Sequence, residues 1–354
     1  MKKQKVSVCI PIYNGGEYLR QTLESVLRQD YKNLEVIISD NCSTDNTREI
    51  VQSFIDGRIR YHRNPRTVGC TKNWNRCIAL AKGEYIAIFH ADDVYSKEMV
   101  SKEAAFLDKN KDCAAVFSAA IVIDDKGAKL WEWKRPPELS EKTDKKELIN
   151  FFINEAYEPF MCPSFMARKS AMKKTGLFDC KTNLSAFDVD YYVRLANNGK
   201  IGFLAEKLMN YRQHGGQLSM PGSAIHKKGR LLNTSIEFFN ITEREAAKEH
   251  IELNPNTNKL FFAQKRWSTI KDALYNAFVG NKKEALILTK SGLDMSDAFV
   301  RFPSPKFFSK TTIAGLFLLA QYAGFGKKAA EAILWFLKER RTGYKSFNPI
   351  AATK

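Results

Sequence analysis

The first hundred residues alternate between short apolar runs and segments whose apolar residues recur at helical spacing. The apolar runs at 6–12, 34–39, 58–62 and 84–89 predict strands. The segments between them, 17–29, 47–54 and 72–82, predict amphipathic helices. Alternation of strand and helix is typical of a parallel sheet with right-handed crossovers. The pattern therefore predicts an α/β fold in which the carboxyl ends of these strands share one edge.

The pattern is less regular beyond this region. Residues 113–123, 163–168, 201–205 and 208–212 predict further strands, and 141–154 and 188–198 predict helices. A tight turn is predicted at 124–127. After Pro221 and Gly222 the sequence changes to amphipathic helical segments separated by breaks. We therefore predict a catalytic domain over 1–220 and a mainly helical region over 221–354.

Composition narrows the class of protein. With 44% hydrophobic residues the chain can bury a substantial core. Its seven cysteines are scattered, odd in number and without a CxxC pair, which favours a reducing compartment over a disulfide framework or a structural zinc site. The basic N-terminus lacks the apolar core of a signal peptide, and the longest apolar segment, 313–323, is too short to span a bilayer. These features predict a cytoplasmic location.

The uneven distribution of charge predicts a basic region in the last part of the sequence. The chain carries a net charge of +17, and its last part, 301–354, has ten lysine and arginine residues against two glutamates. Residues 329–337 are largely apolar and precede a basic cluster, a pattern that suits peripheral attachment to the anionic inner face of the plasma membrane. The alternative is a helix packed on the catalytic domain.

Four polar loops follow the predicted strands, at 11–16, 40–45, 63–65 and 90–93. The last contains adjacent carboxylates, Asp92 and Asp93, directly after an apolar strand. Carboxylates placed together at a strand end repel each other and lose water, and a divalent cation that also holds phosphate oxygens would neutralise them. The alternative is a simple turn that opens the next helix, with Ser96 as its N-cap.

The residues at this edge suit a nucleotide. The sequence has no GxGxxG, GxxxxGK[ST] or HExxH motif, which argues against a dinucleotide fingerprint, a P-loop and a zincin site. Tyr13 is suited to stacking on a base or ribose, and Asp40 to accepting hydrogen bonds from them. Arg63 and Lys72 would add positive charge near phosphates.

Taken together, these motifs resemble those of the family 2 glycosyltransferases with the GT-A fold. The matching residues are Pro11-Ile12-Tyr13-Asn14, Ser25-Val26-Leu27-Arg28-Gln29, Asp40 to Thr47, Gly69 with Asn73 and Asn75, and His90-Ala91-Asp92-Asp93. The resemblance implies a Rossmann-like, mostly parallel sheet flanked by helices. It also implies that Pro11, Tyr13, Asn14, Asp40, Arg63, Lys72 and Asp92 bind a nucleotide sugar, with Asp92 toward the ribose and Asp93 as a metal ligand. His90 departs from the family pattern, which often has Asp there.

The resemblance continues downstream. Asp188 aligns with the catalytic base of inverting members, although Phe187 replaces the usual Glu, and an apolar neighbour raises the pKa of a carboxyl and makes it a better base. Asp190 is the alternative base, and an N-cap role is the alternative for Asp188. Residues 211–219 resemble the motif that ends the catalytic domain, which implies that His214 contacts the metal or the diphosphate.

The resemblance thus implies inverting, Mg²⁺- or Mn²⁺-dependent transfer from a UDP-, dTDP- or GDP-linked sugar. The implied acceptor is a hydroxyl of a glycan or lipid-linked glycan in cell-surface polysaccharide assembly. No nucleic-acid partner is expected, because the crevice is acidic and no RNP motif occurs. Two alternatives stay open: a nucleotidyltransferase-like enzyme and a catalytically inactive GT-A scaffold.

Overall fold

The computed structural model describes residues 5–179, 186–217, 234–254, 257–258, 260–262 and 264–265. The described chain forms one ten-stranded sheet with helices on both faces. Its strands are β1 (Val6–Ile12), β2 (Leu34–Asp40), β3 (Ile59–Arg63), β4 (Tyr85–Ile88), β5 (Val94–Tyr95), β6 (Cys113–Ile123), β7 (Lys129–Trp133), β8 (Lys142–Thr143), β9 (Phe165–Arg168) and β10 (Lys200–Arg212). Its helices are α1 (Gly16–Leu27), α2 (Thr47–Gln52), α3 (Cys70–Leu80), α4 (Met99–Lys109), α5 (Lys145–Glu155), α6 (Lys169–Thr175), α7 (Phe187–Leu195) and α8 (Thr234–Lys248).

The sheet has a parallel half and a mixed half. Its order is β3-β2-β1-β4-β9-β6-β10-β5, with β7 paired to β6 and β8 to β10. The pairs β2–β3, β1–β2 and β1–β4 are parallel, as the alternating pattern predicted. Strand β9 lies between β4 and β6 and is antiparallel to both. In the second half β6 and β10 pair in parallel over the longest pairing of the sheet, so the predicted α/β class with a mostly parallel sheet is confirmed.

The antiparallel direction of β9 matters for the site. Phe165, at the start of β9, pairs with Ile88 at the carboxyl end of β4. The chain therefore enters β9 from the edge where the polar loops lie. The short 3-10 turn Cys162–Ser164 precedes β9 and lies at that same edge.

Alternating side chains of the central strands fill two cores. Val6, Val8 and Ile10 pack toward α1 and α4, whereas Cys9 packs on the opposite face with Trp74 of α3 and with residues of α5 and α7. All seven residues of β2 are buried, which explains why its sequence reads as a nearly continuous apolar run. The sheet is thus covered on both faces, and its polar chemistry is confined to strand ends.

The described part of the C-terminal region belongs to the same body as the sheet. Phe238, Phe239 and Phe261 share the larger core with residues of α5 and α7. Lys145 at the start of α5 pairs with Glu245 of α8 at 2.9 Å. The predicted boundary near 220 falls outside the described residues, as do the basic C-terminal tail and the segment 329–337. Within the described residues, no helix is both long and apolar enough to cross a membrane.

Several local predictions needed correction. The helix predicted over 141–154 begins at Lys145, because the Asp144 side chain accepts a hydrogen bond from the Glu147 amide at 2.9 Å and caps it. The strands predicted at 201–205 and 208–212 form the single strand β10, whose pairing with β6 contains register shifts. Ser96 does not cap α4, whose N-cap residue is Glu98.

The described cysteines are free thiols: Cys9, Cys42, Cys70, Cys77, Cys113 and Cys162.

Candidate active site

Hydrogen bonds join the loops that follow β1, β2 and β3. The backbone N–H of Asn14 donates to Ser43 Oγ at 2.9 Å, and Asn14 Oδ1 accepts from the Thr44 amide at 2.8 Å. Arg63 donates through a terminal nitrogen to the Ser43 carbonyl at 2.9 Å. Asn14 adopts a left-handed conformation with φ of 49°, which turns the chain away from β1. The predicted convergence of these loops is confirmed.

Glycine lets the first loop lie close to the second. The Gly16 amide donates to Asp45 Oδ2 at 2.9 Å. A Cβ atom added at Gly16 would lie 2.0 Å from Asn46 Oδ1, so no larger residue fits without movement. The glycines after β1 therefore permit close approach of two loops, in keeping with the absence of a dinucleotide fingerprint.

The predicted nucleotide-binding residues differ in their burial and in the hydrogen bonds that they already make. Asp40 is fully buried, and its carboxylate accepts from the Ser43 amide at 2.8 Å and from Tyr61 Oη at 2.5 Å. Arg63 Nε lies 3.5 Å from Asp40 Oδ2. A base or ribose donor that binds Asp40 must share an oxygen that is already hydrogen bonded. In contrast, Tyr13 is 53% exposed, Lys72 is exposed on α3, and Pro11 is partly buried.

The two asparagines of α3 connect elements rather than line the crevice. Asn73 Oδ1 accepts from Ser39 Oγ at 2.9 Å and from Asn64 Nδ2 at 3.0 Å, which links the ends of β2 and β3. Asn75 forms a two-way pair with the backbone of Phe178, at 2.8 and 3.0 Å. Both asparagines of the motif therefore hold neighbouring segments of the chain together.

Asp92, Asp93 and His214 meet beyond the end of β4. His214 Nε2 lies 3.0 Å from Asp92 Oδ2, although the two residues are 122 positions apart. Asp93 is fully buried, and its Oδ1 accepts from the Arg212 amide at 2.8 Å. The family resemblance implies that Asp93 is a metal ligand, that Asp92 lies toward the ribose, and that His214 contacts the metal or the diphosphate. The structure places His214 directly against Asp92.

Arg212 holds the loop that carries Asp92 and Asp93, and it was not predicted as a site residue. The side chain is buried and donates from Nε to the Asp92 carbonyl at 3.0 Å and from a terminal nitrogen to Gln21 Oε1 at 2.8 Å. It also lies 4.6 Å above the ring of Tyr18. Its position within the quoted 211–219 motif was the sequence signal. Arg212 is a positioning residue for the carboxylate pair.

The electrostatics of the pair fit a cation. Burial, and secondarily the negative charge of Asp92, raise the pKa of Asp93 well above its usual range, and Asp93 Oδ2 has no hydrogen-bond partner among the described residues. Burial is the largest single influence on Asp92 and opposes its ionisation, but the hydrogen bond from His214 and the charges of His90 and His214 together outweigh it and lower the Asp92 pKa. Single ligand atoms of His90, Asp92 and Asp93 all lie within 4.8 Å of one another. These oxygen and nitrogen donors fit a divalent cation.

A second cluster surrounds Asp188 in the first turn of α7. Tyr192 Oη donates to Cys162 Sγ at 3.1 Å, and Cys162 Sγ lies 3.7 Å from His90 Nε2. The Asp188 carboxyl lies beside the Cys162 thiol, and its Oδ1 accepts a hydrogen bond from the Val189 amide at 3.0 Å. Burial raises the pKa of Asp188 above that of an ordinary aspartate. Contacts through Cys162 thus lead from Asp188 to His90, beside the carboxylate pair.

Aromatic packing fixes the position of α7. The Trp74 ring meets Phe187 edge-on at 5.0 Å and His90 at 5.5 Å. Phe187, where the family pattern has Glu, is therefore a packing residue between α3 and α7. Trp74 lay inside a quoted motif segment but carried no predicted role.

Asp190 faces away from this cluster. Its Oδ2 lies 2.8 Å from Arg194 Nε, and its Oδ1 lies 2.5 Å from a terminal nitrogen of Arg244 on α8. Two arginines thus occupy both carboxylate oxygens. This arrangement ties α7 to α8 and leaves Asp190 poorly placed to accept a proton from a substrate.

Sequence reasoning also missed Cys162 and Glu158, which no motif marks. Burial, and then the negative charge of Asp188, raise the pKa of Glu158 well above its usual range. Both residues lie in the segment between α5 and β9, and the register of β9 on β4 brings that segment to the site. A single sequence does not reveal that register.

Comparison with known proteins identifies the class. A sequence model of the family described as Glycosyl transferase family 2 matches residues 7–176. A protein of Methanocaldococcus jannaschii named uncharacterized glycosyltransferase MJ1057 is 32% identical over 217 residues, which cover 60% of this chain and 72% of that protein. The chain therefore belongs to glycosyltransferase family 2.

Two further similarities refine the comparison. The putative teichuronic acid biosynthesis glycosyltransferase TuaG of Bacillus subtilis is 34% identical over 138 residues, which cover 38% of this chain and 54% of TuaG. The crystal structure of S. aureus TarS 1–349 in complex with UDP-GlcNAc aligns with a TM-score of 0.57 at 16% identity, over 94% of this chain and 92% of that one. This structural match confirms the GT-A fold.

Proposed function

We propose that this glycosyltransferase transfers a sugar from a nucleoside diphosphate sugar to an acceptor hydroxyl with inversion of configuration, and that Asp188 is the base. The observation that carries the proposal is the position of Asp188: it is partly buried in the first turn of α7, beside the Cys162 thiol, which in turn lies 3.7 Å from His90 next to the carboxylate pair. Asp190 is set aside because arginines hold both of its oxygens.

The reaction needs one proton transfer and one displacement. As the acceptor oxygen forms a bond to the anomeric carbon, its proton passes to the Asp188 carboxylate. The bond between the anomeric carbon and the diphosphate oxygen breaks, and the nucleoside diphosphate leaves with the electron pair. A raised pKa suits Asp188 to this role, because a stronger base accepts the proton more readily.

The donor would lie along the loops after β1 to β4. Tyr13 is exposed for stacking, Asp40 would share its bound oxygens with the base or ribose, and Lys72 faces solvent near the same edge. Pro11 and Asn14 would shape the first loop, and Arg63 would support it through Asp40 and Ser43. The complex of TarS with UDP-GlcNAc supports a nucleotide sugar, with UDP, dTDP and GDP as the candidates to assay.

A Mg²⁺ or Mn²⁺ ion would be held by Asp92, Asp93 and His214. We include Asp92 because its Oδ2 already contacts His214, and we keep Asp93 because no group in the described part of the chain hydrogen bonds its Oδ2. When bound, such an ion supplies a Lewis acid that neutralises the charge of the leaving diphosphate.

The decisive experiment compares Asp188→Asn with Asp190→Asn, assayed for sugar transfer over a panel of UDP-, dTDP- and GDP-sugars and glycan acceptors. We expect Asp188→Asn to fold and bind donor but to lose activity by about 10² to 10⁴-fold. Asp190→Asn, which removes a carboxylate charge from the same helix, should retain most of its kcat. Near-normal turnover by Asp188→Asn would contradict the proposal, and donor binding without turnover by the wild type would favour an inactive scaffold.

The acceptor proposed is a glycan or lipid-linked glycan of cell-surface polysaccharide assembly. The similarity to TuaG, whose name refers to teichuronic acid biosynthesis, supports this class. The basic segment 301–354 would bring the enzyme to the anionic inner face of the plasma membrane. Flotation with vesicles of anionic phospholipid should then recover the full chain in the lipid fraction at low salt, and zwitterionic vesicles should not. Absence of flotation with both would contradict membrane attachment.

A further inference from the structure

His90 occupies the position where many family members have aspartate, and it changes the chemistry of the cation site. One nitrogen of His90 lies within 4.8 Å of carboxylate oxygens of Asp92 and Asp93. Ligand atoms on opposite sides of a bound transition-metal ion are about 4 Å apart. His90 is thus within a small side-chain adjustment of being a ligand itself.

Packing and a thiol contact hold the His90 side chain beside Asp92 and Asp93. The Trp74 ring packs edge-on against the imidazole at 5.5 Å, and Cys162 Sγ lies 3.7 Å from Nε2. His214 Nε2 also lies 3.0 Å from Asp92 Oδ2. Two imidazoles are therefore close to the carboxylate pair, and a thiol lies next to one of them.

This donor set differs from one built only of oxygen. Mg²⁺ prefers carboxylate and water oxygens in near-ideal octahedral geometry, whereas imidazole favours later divalent ions such as Co²⁺ and Zn²⁺. We infer that His90 is a nitrogen ligand of the cation site and shifts the preference of this chain from Mg²⁺ toward Co²⁺ and Zn²⁺, with Mn²⁺ also bound through nitrogen.

The inference rests on the proposed function only in taking this cluster as the cation site. Metal binding is measured apart from sugar transfer, so the two ideas fail separately. If the wild-type chain binds none of these ions, with or without nucleoside diphosphate, both the metal part of the proposed function and this inference are overturned. If it binds them without dependence on His90, only the inference is.

The first test is electron spin-echo spectroscopy of Mn²⁺ bound to the full chain, which detects directly coordinated ¹⁴N. In His214→Gln the remaining candidate imidazole is His90, so ¹⁴N modulation should persist there and disappear in the double variant with His90→Gln. Mn²⁺ bound by His214→Gln without ¹⁴N modulation would overturn the inference.

The second test remains informative if His214→Gln no longer binds Mn²⁺. Equilibrium competition between Co²⁺ and Mg²⁺, read by metal analysis after dialysis, gives the selectivity of each variant. His90→Asp restores an oxygen ligand, so the Co²⁺/Mg²⁺ selectivity ratio should fall on the order of tenfold or more. His250→Gln, at an exposed histidine outside the cluster, should leave it unchanged. An unchanged ratio in His90→Asp would overturn the inference.

Discussion

Asp188 and Asp190 lie two positions apart on α7, and their environments give them opposite uses. Asp188 has no ion-pair partner among the described residues, lies beside the Cys162 thiol, and has a pKa that burial raises. Asp190 is held by Arg194 and Arg244 at 2.8 and 2.5 Å. Protonation of Asp190 would remove the negative charge that the two arginines contact, so these ion pairs disfavour its use as a base. Residue type and spacing do not show which of the two aspartates is the better base, whereas the groups that each one contacts do.

The pH dependence of the rate should report Asp188. A base acts only when ionised, so activity falls as pH drops through its pKa, which burial raises above the value of about 3.9 for an exposed aspartate. We expect kcat/KM to show an acid limb above that value in the wild type and in Asp190→Asn. Steady-state assays across pH would measure it. The same limb in the residual activity of Asp188→Asn would assign it to another group.

At the scale of elements, the site depends on the contacts that position helix α7 and the turn before β9. Helix α7 carries Asp188 on the face toward β9 and Asp190 on the face toward α8. The turn before β9 supplies Cys162 because β9 runs antiparallel to β4. A helix and a turn that are remote in sequence thus place two neighbouring groups, and ion pairs on the far side of α7 keep its orientation.

Arg244→Ala should weaken this anchoring. The substitution leaves the buried carboxylate of Asp190 with Arg194 alone, and the 45% exposure of the Arg244 side chain limits the loss. We expect the free energy of unfolding in urea to fall by about 1 to 2 kcal/mol. The control is Lys248→Ala, a more exposed partner of Glu245 that should cost less than about 0.5 kcal/mol. Equal losses in both variants would contradict a special role for the Asp190 contact.

At the scale of the whole molecule, residues after the predicted boundary near 220 complete the core. Ile149 and Ile153 of α5 pack against Ala246 of α8, and Phe238 packs against Phe152 at a ring distance of 5.0 Å. Burial of each large apolar side chain contributes roughly 1.5 to 3 kcal/mol. The catalytic domain defined from sequence therefore lacks part of the surface that covers α5.

Truncation tests this dependence. A chain ending at residue 220 should expose the α8-facing side of α5 and α7, and should lose its cooperative thermal transition and aggregate. A chain ending at residue 265 retains α8 and should unfold cooperatively. Circular dichroism during heating, with the full chain as reference, would measure both. A cooperative transition of 1–220 within a few degrees of the full chain would show that α8 is dispensable.

The sequence by itself determined the α/β alternation, the strand ends at which the polar loops lie, the adjacency of Asp92 and Asp93, and the family resemblance from which the proposal for Asp188 comes. These follow from local patterns of burial and from short motifs, which one chain displays directly. It did not determine that Cys162 lies beside His90, 72 positions away, or that His214 meets Asp92 across 122 positions. Only the tertiary structure decided these contacts, because they depend on strand register, on the direction of β9 and on which face of α7 each side chain occupies.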